Sequence, residues 1–431
     1  MTSIAFYTLG CKSNQYETDR MAKIAISLGL ELVPYPAKAD IYVINTCTVT
    51  GNADKKSRNY IRHAKKLNPD AKVIVTGCYV EGGSFNLKEA DVILRNKDKF
   101  NIDECFRDEK RETRNEIIPS PLPAGRHGIS HLSSRVRSNL MIEDGCENFC
   151  SYCIVPYVRG KVRSRPIDEI INEAREMVAN GVKELVLTGI NLGEFPHLPS
   201  LISHFSNLDG LLRIRLSSIE PQYVTDELIK IVKEDPKVCK HLHIPMQSGD
   251  DRILKMMKRN YSSKGFLSLI NRVKKQIKGV AITTDIIIGF PGEDEKAFNN
   301  TCRLVNKLQF SRIHIFSYSD RPRTAASKLP EKVDPKIIAK RHEKLGALKD
   351  KYMLKFHRSF KRMPMEVLIE QKDRKTGMYE GLTSNYIRVF INSDDWGDDS
   401  IGKLLPLKFK DFRGENVFAC LPVGTADPVL L

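Results

Sequence analysis

Three cysteines fall within eight residues, in Cys146-Glu-Asn-Phe-Cys150-Ser-Tyr-Cys153. The loop follows a strand-like stretch at 139–143 and a turn at Asp144-Gly145. Structural zinc sites take four ligands, usually from two paired Cys-x-x-Cys elements, and no second pair is present. Three thiolates in one short loop can instead hold three irons of a [4Fe–4S] cube and leave the fourth iron open. A zinc-dependent RNA-binding module without catalysis is the alternative that the cysteines alone leave standing.

A second trio is spread over the first 80 or so residues, in Thr8-Leu9-Gly10-Cys11, Asn45-Thr46-Cys47 and Thr76-Gly77-Cys78. Each cysteine immediately follows a strand-like stretch, at 3–8, 41–45 and 73–76. The separations, 36 and 31 residues, suit one βα unit each. In a parallel sheet such positions line up outside the carboxyl ends of the strands, where ligands bind. A single free cysteine is commonly buried and inert; three in one geometric class point to a second cluster. Cys105, Cys239, Cys302 and Cys420 have no such company and read as structural.

The fold class is α/β. Residues 1–106 alternate strand and helix, with a further strand at 91–94 and helices at 14–28 and 54–67, which predicts a parallel sheet covered by helices. Residues 107–137 turn from charged to Pro-, Gly- and Ser-rich and read as a linker. Residues 138–335 supply six strands, at 139–143, 184–188, 213–217, 241–246, 281–289 and 312–317. Six βα units are too few for a closed eight-fold barrel, so an open partial (β/α)6 barrel is expected. After a basic helix at 336–362, residues 363–431 show short strands at 365–369, 387–391, 403–410 and 416–420, the pattern of a small antiparallel β-barrel.

The strand ends of the partial barrel are polar. Thr188 and Asn191, Ser217 and Glu220, Gln247, and Asp285 with Gly289 sit at or near successive carboxyl ends, where barrels of this kind build their sites. Each alone could be a cap or turn residue; together they read as a pocket.

Net charge is +16, which suits a polyanionic partner. From Glu366 onward there are 8 basic and 11 acidic residues, so the tail carries −3 and the first 365 residues +19. The segment 336–362 holds 10 Lys/Arg, and Leu345, Leu348, Tyr352, Phe356 and Phe360 recur in it at helical spacing. One face of that helix should dock on a core while Lys344, Lys351, Lys355 and Arg358 face outward, to water or to RNA. No apolar run reaches the length of a membrane span. No signal peptide is visible at the N-terminus, so a cytoplasmic location is expected, with reduced cysteines.

The CxxxCxxC loop, with aromatic Tyr152 before its last cysteine, resembles the signature of the radical S-adenosylmethionine (SAM) superfamily. That resemblance implies SAM chelated to the open iron and reductive cleavage to a 5′-deoxyadenosyl radical. Asp285-Ile-Ile-Ile-Gly289-Phe-Pro-Gly292-Glu293 resembles the segment lying along the adenine of SAM. Two cysteine trios in this order, with a β tail, further resemble the methylthiotransferase family over nearly the whole chain. Ile154-Val-Pro-Tyr-Val-Arg159-Gly160, His243-Ile-Pro-Met-Gln247-Ser-Gly249 and Phe316-Ser-Tyr-Ser319 with Arg321-Pro-Arg-Thr324 agree. Thr8-Leu-Gly-Cys-Lys-Ser-Asn-Gln-Tyr16, Ile44-Asn-Thr-Cys-Thr-Val-Thr50 and Ala53-Asp-Lys-Lys-Ser-Arg58 are most similar to the branch acting on N6-threonylcarbamoyladenosine at tRNA position 37. Two features depart from the family: the segment at 79–87 is short, and the TRAM-like tail is acidic, with Asp394-Asp-Trp-Gly-Asp-Asp399.

The resemblance implies two [4Fe–4S] clusters, on Cys146, Cys150 and Cys153 and on Cys11, Cys47 and Cys78. It implies SAM contacts from Tyr152, Thr188, Asn191, Ser217, Glu220, Gln247, Asp285 and Gly289. The partners implied are the tRNA anticodon stem-loop and an electron donor such as flavodoxin or ferredoxin, with the enzyme a monomer and no membrane involved. The alternatives in the same family are isopentenyladenosine in tRNA and a ribosomal-protein aspartate. An adenine C2–H has no acidity to exploit, so a radical is the available route, with sulfur from the second cluster methylated by a second SAM. A threonylcarbamoyl arm carries a carboxylate, whose burial needs a cation; Arg159, Arg163 and Arg165 are the expected suppliers.

Overall fold

A computed structural model describes residues 1–82, 87–106, 135–361, 363–373, 376–392 and 400–420. Residues 107–134 of the expected linker, the acidic segment at 394–399 and residues 83–86 of the short segment lie outside the described residues. The chain forms two compact units that interleave in sequence. One comprises Met1–Ser134, Asp144–Arg163 and Ser319–Ser327; the other comprises Arg135–Glu143, Ser164–Tyr318 and Lys328–Leu431. The CxxxCxxC loop therefore belongs to the unit that carries the first cysteine trio.

In that first unit β1 (Ser3–Thr8), β2 (Glu31–Leu32), β3 (Ile41–Thr46), β4 (Lys72–Gly77) and β5 (Val92–Ile93) form a parallel sheet of order β2-β1-β3-β4-β5. Strand β3 is buried along its whole length, the burial expected of an inner parallel strand. Side chains alternate between two cores. Ala5, Tyr42, Ile44, Val73 and Val75 meet Ile61 and Ala64 of α2 (Gly51–Leu67) on one face. Ile4, Val43 and Ile74 meet Met21, Ala22 and Ala25 of α1 (Lys12–Ser27) on the other. Helix α2 starts where Thr50 accepts a hydrogen bond from the Ala53 N–H, and it ends with Lys65 and Lys66 in its last turn.

In the second unit the six expected strands are β6 (Arg137–Met141), β7 (Glu184–Thr188), β8 (Arg213–Leu216), β9 (His241–His243), β10 (Ala281–Ile288) and β11 (Arg312–Ser317). They form two three-stranded parallel sheets, β8-β7-β6 and β9-β10-β11. Bridges Ile214↔Val238 and Ser218↔His243 connect the sheets, giving an open partial barrel in chain order. Leu140, Leu185, Leu187, Ile214, Leu216, Leu242, Ile282, Ile286 and Ile313 share one core with residues of the surrounding helices, among them Ile170, Phe205, Phe266 and Phe298. The alternate residues, among them Glu184, Arg213, Arg215, His243, Asp285 and His314, point to the other face.

The tail is a closed barrel of β12 (Pro364–Lys372), β13 (Tyr379–Thr383), β14 (Arg388–Ile391), β15 (Leu404–Arg413) and β16 (Asn416–Cys420), in the order β12-β13-β14-β16-β15. Strand β13 was not among the strands expected from sequence; its Gly381 gives it a weak β pattern, but an added Cβ there would lie 2.6 Å from the Leu368 carbonyl oxygen. The basic helix spans Pro335–Arg358. Leu345 and Tyr352 enter the partial-barrel core, and Phe356 and Phe360 pack on the tail-barrel core. Lys344, Lys351, Lys355 and Arg358 are exposed.

Charge also holds the tail to the partial barrel. Arg215 is fully buried and forms a fork on Glu184, at 2.6 and 3.1 Å. Its remaining N–H groups donate to the Thr383 and Ser384 carbonyls, while Arg213 donates to those of Leu382 and Glu366. Burial opposes ionisation of Glu184, but Arg215 more than offsets it, so the Glu184 carboxyl lies below the usual range. Arg215→Met should strand a buried carboxylate and cost about 3–5 kcal/mol in a urea melt. Because the folded carboxyl value is depressed, the pair's contribution is complete above the ordinary carboxylate pKa. It should be lost as pH falls through the folded value, and the variant's melts should lack that acid limb.

Candidate active site

The first trio is built by three chain turns at neighbouring strand ends. Cys11 follows β1, Cys47 follows β3 and Cys78 follows β4, and these strands are adjacent in the sheet. Gly77 has φ +96°, and an added Cβ would lie 2.4 Å from the Thr46 carbonyl oxygen. Only glycine lets the Cys78 turn approach the Cys47 turn so closely. Gly10, at φ +110°, plays the same part beside Cys11, where an added Cβ would lie 3.1 Å from Cys47 Cβ. Asn14 ties the turns together. Its Nδ2 donates to Asn45 Oδ1 at 3.1 Å and to the Thr46 carbonyl at 3.0 Å, and its Oδ1 accepts from Cys11 Sγ at 3.2 Å. Burial pushes the Cys78 thiol up to about 12 and raises that of Cys47. Neutral thiols are the stable form without a metal.

The second trio occupies the loop after Asp144. Gly145, at φ +88°, brings the backbone against Lys161, whose carbonyl oxygen would be 2.0 Å from an added Cβ. The Cys146 N–H then donates to the Gly160 carbonyl at 3.1 Å, and the Cys153 N–H to that of Cys150 at 3.0 Å. All three cysteines and Tyr152 are half-buried. Phe149 sits in the left-handed region at φ +44° with its ring exposed, edge-on to Tyr157. Just past the loop, Ile154 and Val158 pack on Cys78, so the segment leaving the second trio shares a small core with one cysteine of the first.

At the strand ends of the partial barrel, two polar side chains are buried without partners. Neither side-chain atom of Asn191 nor the hydroxyl of Ser217 has a hydrogen bond. Each costs about 1–3 kcal/mol unless a ligand completes it. The Thr188 hydroxyl donates to the Val186 carbonyl. Glu220 is ion-paired with Arg259. Gln247, at φ +59°, is held by backbone hydrogen bonds with Asp285 and Ile287. Gly289 has φ +74°, and an added Cβ would lie 2.5 Å from Ile338, so backbone conformation and packing together explain that glycine. Asp285 lies mid-strand, 3.3 Å from His243 Nε2. His243, Asp285 and His314 bring their ligand atoms within 4.8 Å of one another. The sequence reading gave no role to either histidine or to Arg259; the register of β9, β10 and β11 is what joins the first three, and no local pattern announces it.

The three expected substrate arginines separate. Arg159 is closed to a substrate: its guanidinium is 1% exposed and engaged by Glu17, Asp144 and Asn14. Arg165 is also engaged, donating to the Met141 carbonyl and pairing with Glu173 at 2.8 Å. Buried carboxylates already claim the Arg159 guanidinium, and a half-buried carboxylate and a carbonyl that of Arg165, so neither stands open as the sequence pattern suggests. Arg163 is 58% exposed, with two long contacts, to Asp144 at 3.3 Å and to the Arg159 carbonyl at 3.4 Å.

An open parallel barrel and a CxxxCxxC loop define a radical SAM enzyme, and the profile described as the Radical SAM superfamily matches residues 141–305. A second profile, "Uncharacterized protein family UPF0004", matches residues 3–95. The chain is 36% identical to the "Threonylcarbamoyladenosine tRNA methylthiotransferase MtaB" of Bacillus subtilis, over 95% of this chain and 94% of that protein. It is 32% identical to the "tRNA-2-methylthio-N(6)-dimethylallyladenosine synthase" of Endomicrobium trichonymphae, over 95% and 98%. Among solved structures, the radical SAM methyltransferase TsrM of Kitasatospora setae aligns at TM-score 0.56 and 14% identity, covering 76% of this chain and 75% of that one, which shows the fold alone. The chain belongs to the methylthiotransferase family of radical SAM enzymes.

Membership brings a [4Fe–4S] cluster and SAM, and the residues fit both. Three thiols stand in one loop with no disulfide among them, and Asn191 and Ser217 await a polar ligand. No helix among the described residues is long and apolar enough to cross a membrane. Gly77→Ala tests the strand-end geometry. A side chain at φ +96° against the Thr46 carbonyl should cost about 1–3 kcal/mol. It should also raise the alkylation rate of Cys78 in metal-free protein, read by peptide mass spectrometry.

Proposed function

We propose that this chain inserts sulfur and a methyl group at C2 of N6-threonylcarbamoyladenosine at position 37 of tRNA. One observation carries the reading: six cysteines in two trios lie in one compact unit, with Cys78 packed on the helix that leaves the CxxxCxxC loop. The names of the relatives that match over most of the chain support the substrate. Cys146, Cys150 and Cys153 hold the radical cluster, and Cys11, Cys47 and Cys78 the second one. When bound, SAM and the first cluster supply a 5′-deoxyadenosyl radical, and the second cluster supplies sulfur.

The chain's own part is to hold and orient. Asn191 and Ser217 take the polar edges of SAM, and Tyr152, Thr188, Glu220, Gln247, Asp285 and Gly289 are the further contacts of the same proposal. Gly77 and Gly10 keep the strand-end sulfurs together. Arg163, the exposed arginine of the three, faces the carboxylate of the threonylcarbamoyl arm. The exposed lysines of Pro335–Arg358 bind the phosphates of the anticodon stem-loop. The division into cluster domain (1–106), linker (107–137), barrel (138–335), basic helix (336–362) and TRAM-like domain (363–431) belongs to the same proposal. So do a cytoplasmic location, a monomeric state and a flavodoxin- or ferredoxin-type electron donor.

Two measurements test this. Replacing Cys146, Cys150 and Cys153 with Ala should leave about half the iron of anaerobically purified protein and abolish SAM cleavage. Cys47→Ala should still form 5′-deoxyadenosine under reduction but give no methylthio product; wild-type product yield would reject the second cluster. For the substrate, the enzyme is offered anticodon stem-loops carrying either arm. Methylthio product is expected from the threonylcarbamoyl arm, and Arg163→Gln should raise KM for it about tenfold or more, the loss of one charged hydrogen bond. Product from the isopentenyl arm alone would overturn the substrate and leave the enzyme class intact.

A further inference from the structure

Arg159 ends the short helix Val155–Arg159 that leaves the CxxxCxxC loop, and its head lies against the start of α1, which follows Cys11. Nη1 donates to Glu17 at 2.9 Å and to Asp144 at 2.6 Å. Nη2 donates to Asn14 Oδ1 at 2.9 Å, the same oxygen that accepts from Cys11 Sγ at 3.2 Å. The amide nitrogen of Asn14 reaches the Thr46 carbonyl, one residue before Cys47. Val158, one residue before Arg159, packs on Cys78. A single buried cation is thus tied to the framework of all three cysteines.

The carboxylates around it are matched by cations without the cysteines. Glu17 also receives Lys99 Nζ at 2.5 Å, so the buried set is two carboxylates, Glu17 and Asp144, and two cations, Arg159 and Lys99, with the exposed Arg163 adding a third cation 3.3 Å from Asp144. All four side chains are buried, with Asp144 the most exposed at 12%. In so dry a place a fixed charge acts strongly on its neighbours. The potential of an iron–sulfur cluster responds to nearby charge, to hydrogen bonds toward its sulfurs and to burial. Arg159 brings a buried positive charge to that place and is linked to Cys11 Sγ through Asn14.

Resting on the reading that Cys11, Cys47 and Cys78 carry a cluster, we propose that Arg159 is a positioning residue that sets the reduction potential of that cluster. Taking up one electron adds one negative charge to the cluster. The guanidinium favours the reduced form, and Glu17 opposes it. The helix from the radical loop thereby supplies the cation that tunes the sulfur-carrying centre.

The test uses full-length protein with Cys146, Cys150 and Cys153 replaced by Ala, so that one cluster remains, in redox titrations followed by electron paramagnetic resonance. Arg159→Gln should move the midpoint to a more negative value at unchanged iron per chain, and Arg159→Lys should stay near the parent. Glu17→Gln should move it the opposite way, which keeps the test open if Arg159→Gln does not fold. Midpoints unchanged in both Arg159→Gln and Glu17→Gln would overturn the role of Arg159 while leaving the second cluster in place. A parent protein without iron would overturn the cluster itself, and this inference with it.

Discussion

Parallel strands of one sheet all end on the same side, and the candidate site follows from that constraint. Cys11, Cys47 and Cys78 come together because β1, β3 and β4 are neighbours and each is followed at once by a turn. The turns could not close so tightly with side chains, and Gly10 and Gly77 stand where the crowding is greatest. The same rule places Asn191 and Ser217 after β7 and β8 in the other unit. Two sheets of different origin in the chain thus present their chemistry in the same way.

Burial of charge is the second theme. Arg215 with Glu184, and Arg159 with Glu17 and Asp144, are ion pairs that water hardly reaches. Such pairs add little net stability over well-packed apolar residues, because desolvation consumes most of the attraction. Their value lies in direction: each guanidinium has a fixed fork and can satisfy several acceptors at set angles. Arg215 sets its fork on Glu184 and turns its remaining N–H groups to the carbonyls of Thr383 and Ser384, fixing where the tail barrel attaches. Arg159 reaches Asn14 and Glu17 of α1 and Asp144 before the CxxxCxxC loop.

Much of this was legible in the sequence, because it is local. Strand β1 runs over the residues expected, and β3 and β4 differ from expectation by a residue or two at their ends. The six barrel strands and four of the five tail strands were visible as apolar runs between turns. The cysteine turns were visible because glycine and cysteine stand side by side. What could not be read was pairing across long separations. Arg159 looked available for a substrate because its partners Glu17 and Asn14 lie 142 and 145 residues away. Asp285 looked like a cofactor contact at a strand end, and only the register of three strands sets it against His243 and His314. The fifth tail strand was missed because Gly381 breaks its pattern.

The distinction between satisfied and unsatisfied polar groups then ranks the strand-end residues better than their positions do. A buried hydroxyl or amide that already has its partners gains nothing from a ligand, and its placement is explained by the fold. The Thr188 hydroxyl, on the Val186 carbonyl, is of that kind, and the Glu220 carboxylate is likewise satisfied by Arg259. Asn191 and Ser217 are not: the fold buries them and leaves them unpaired. Such a cost persists in a native protein where something besides folding requires the residue. The polar ligand implied by the family, with its amino, carboxylate and ribose groups, carries the donors and acceptors that an amide and a hydroxyl would complete. Asn191 and Ser217 are therefore the residues on which SAM binding should depend most, ahead of the six others singled out by sequence.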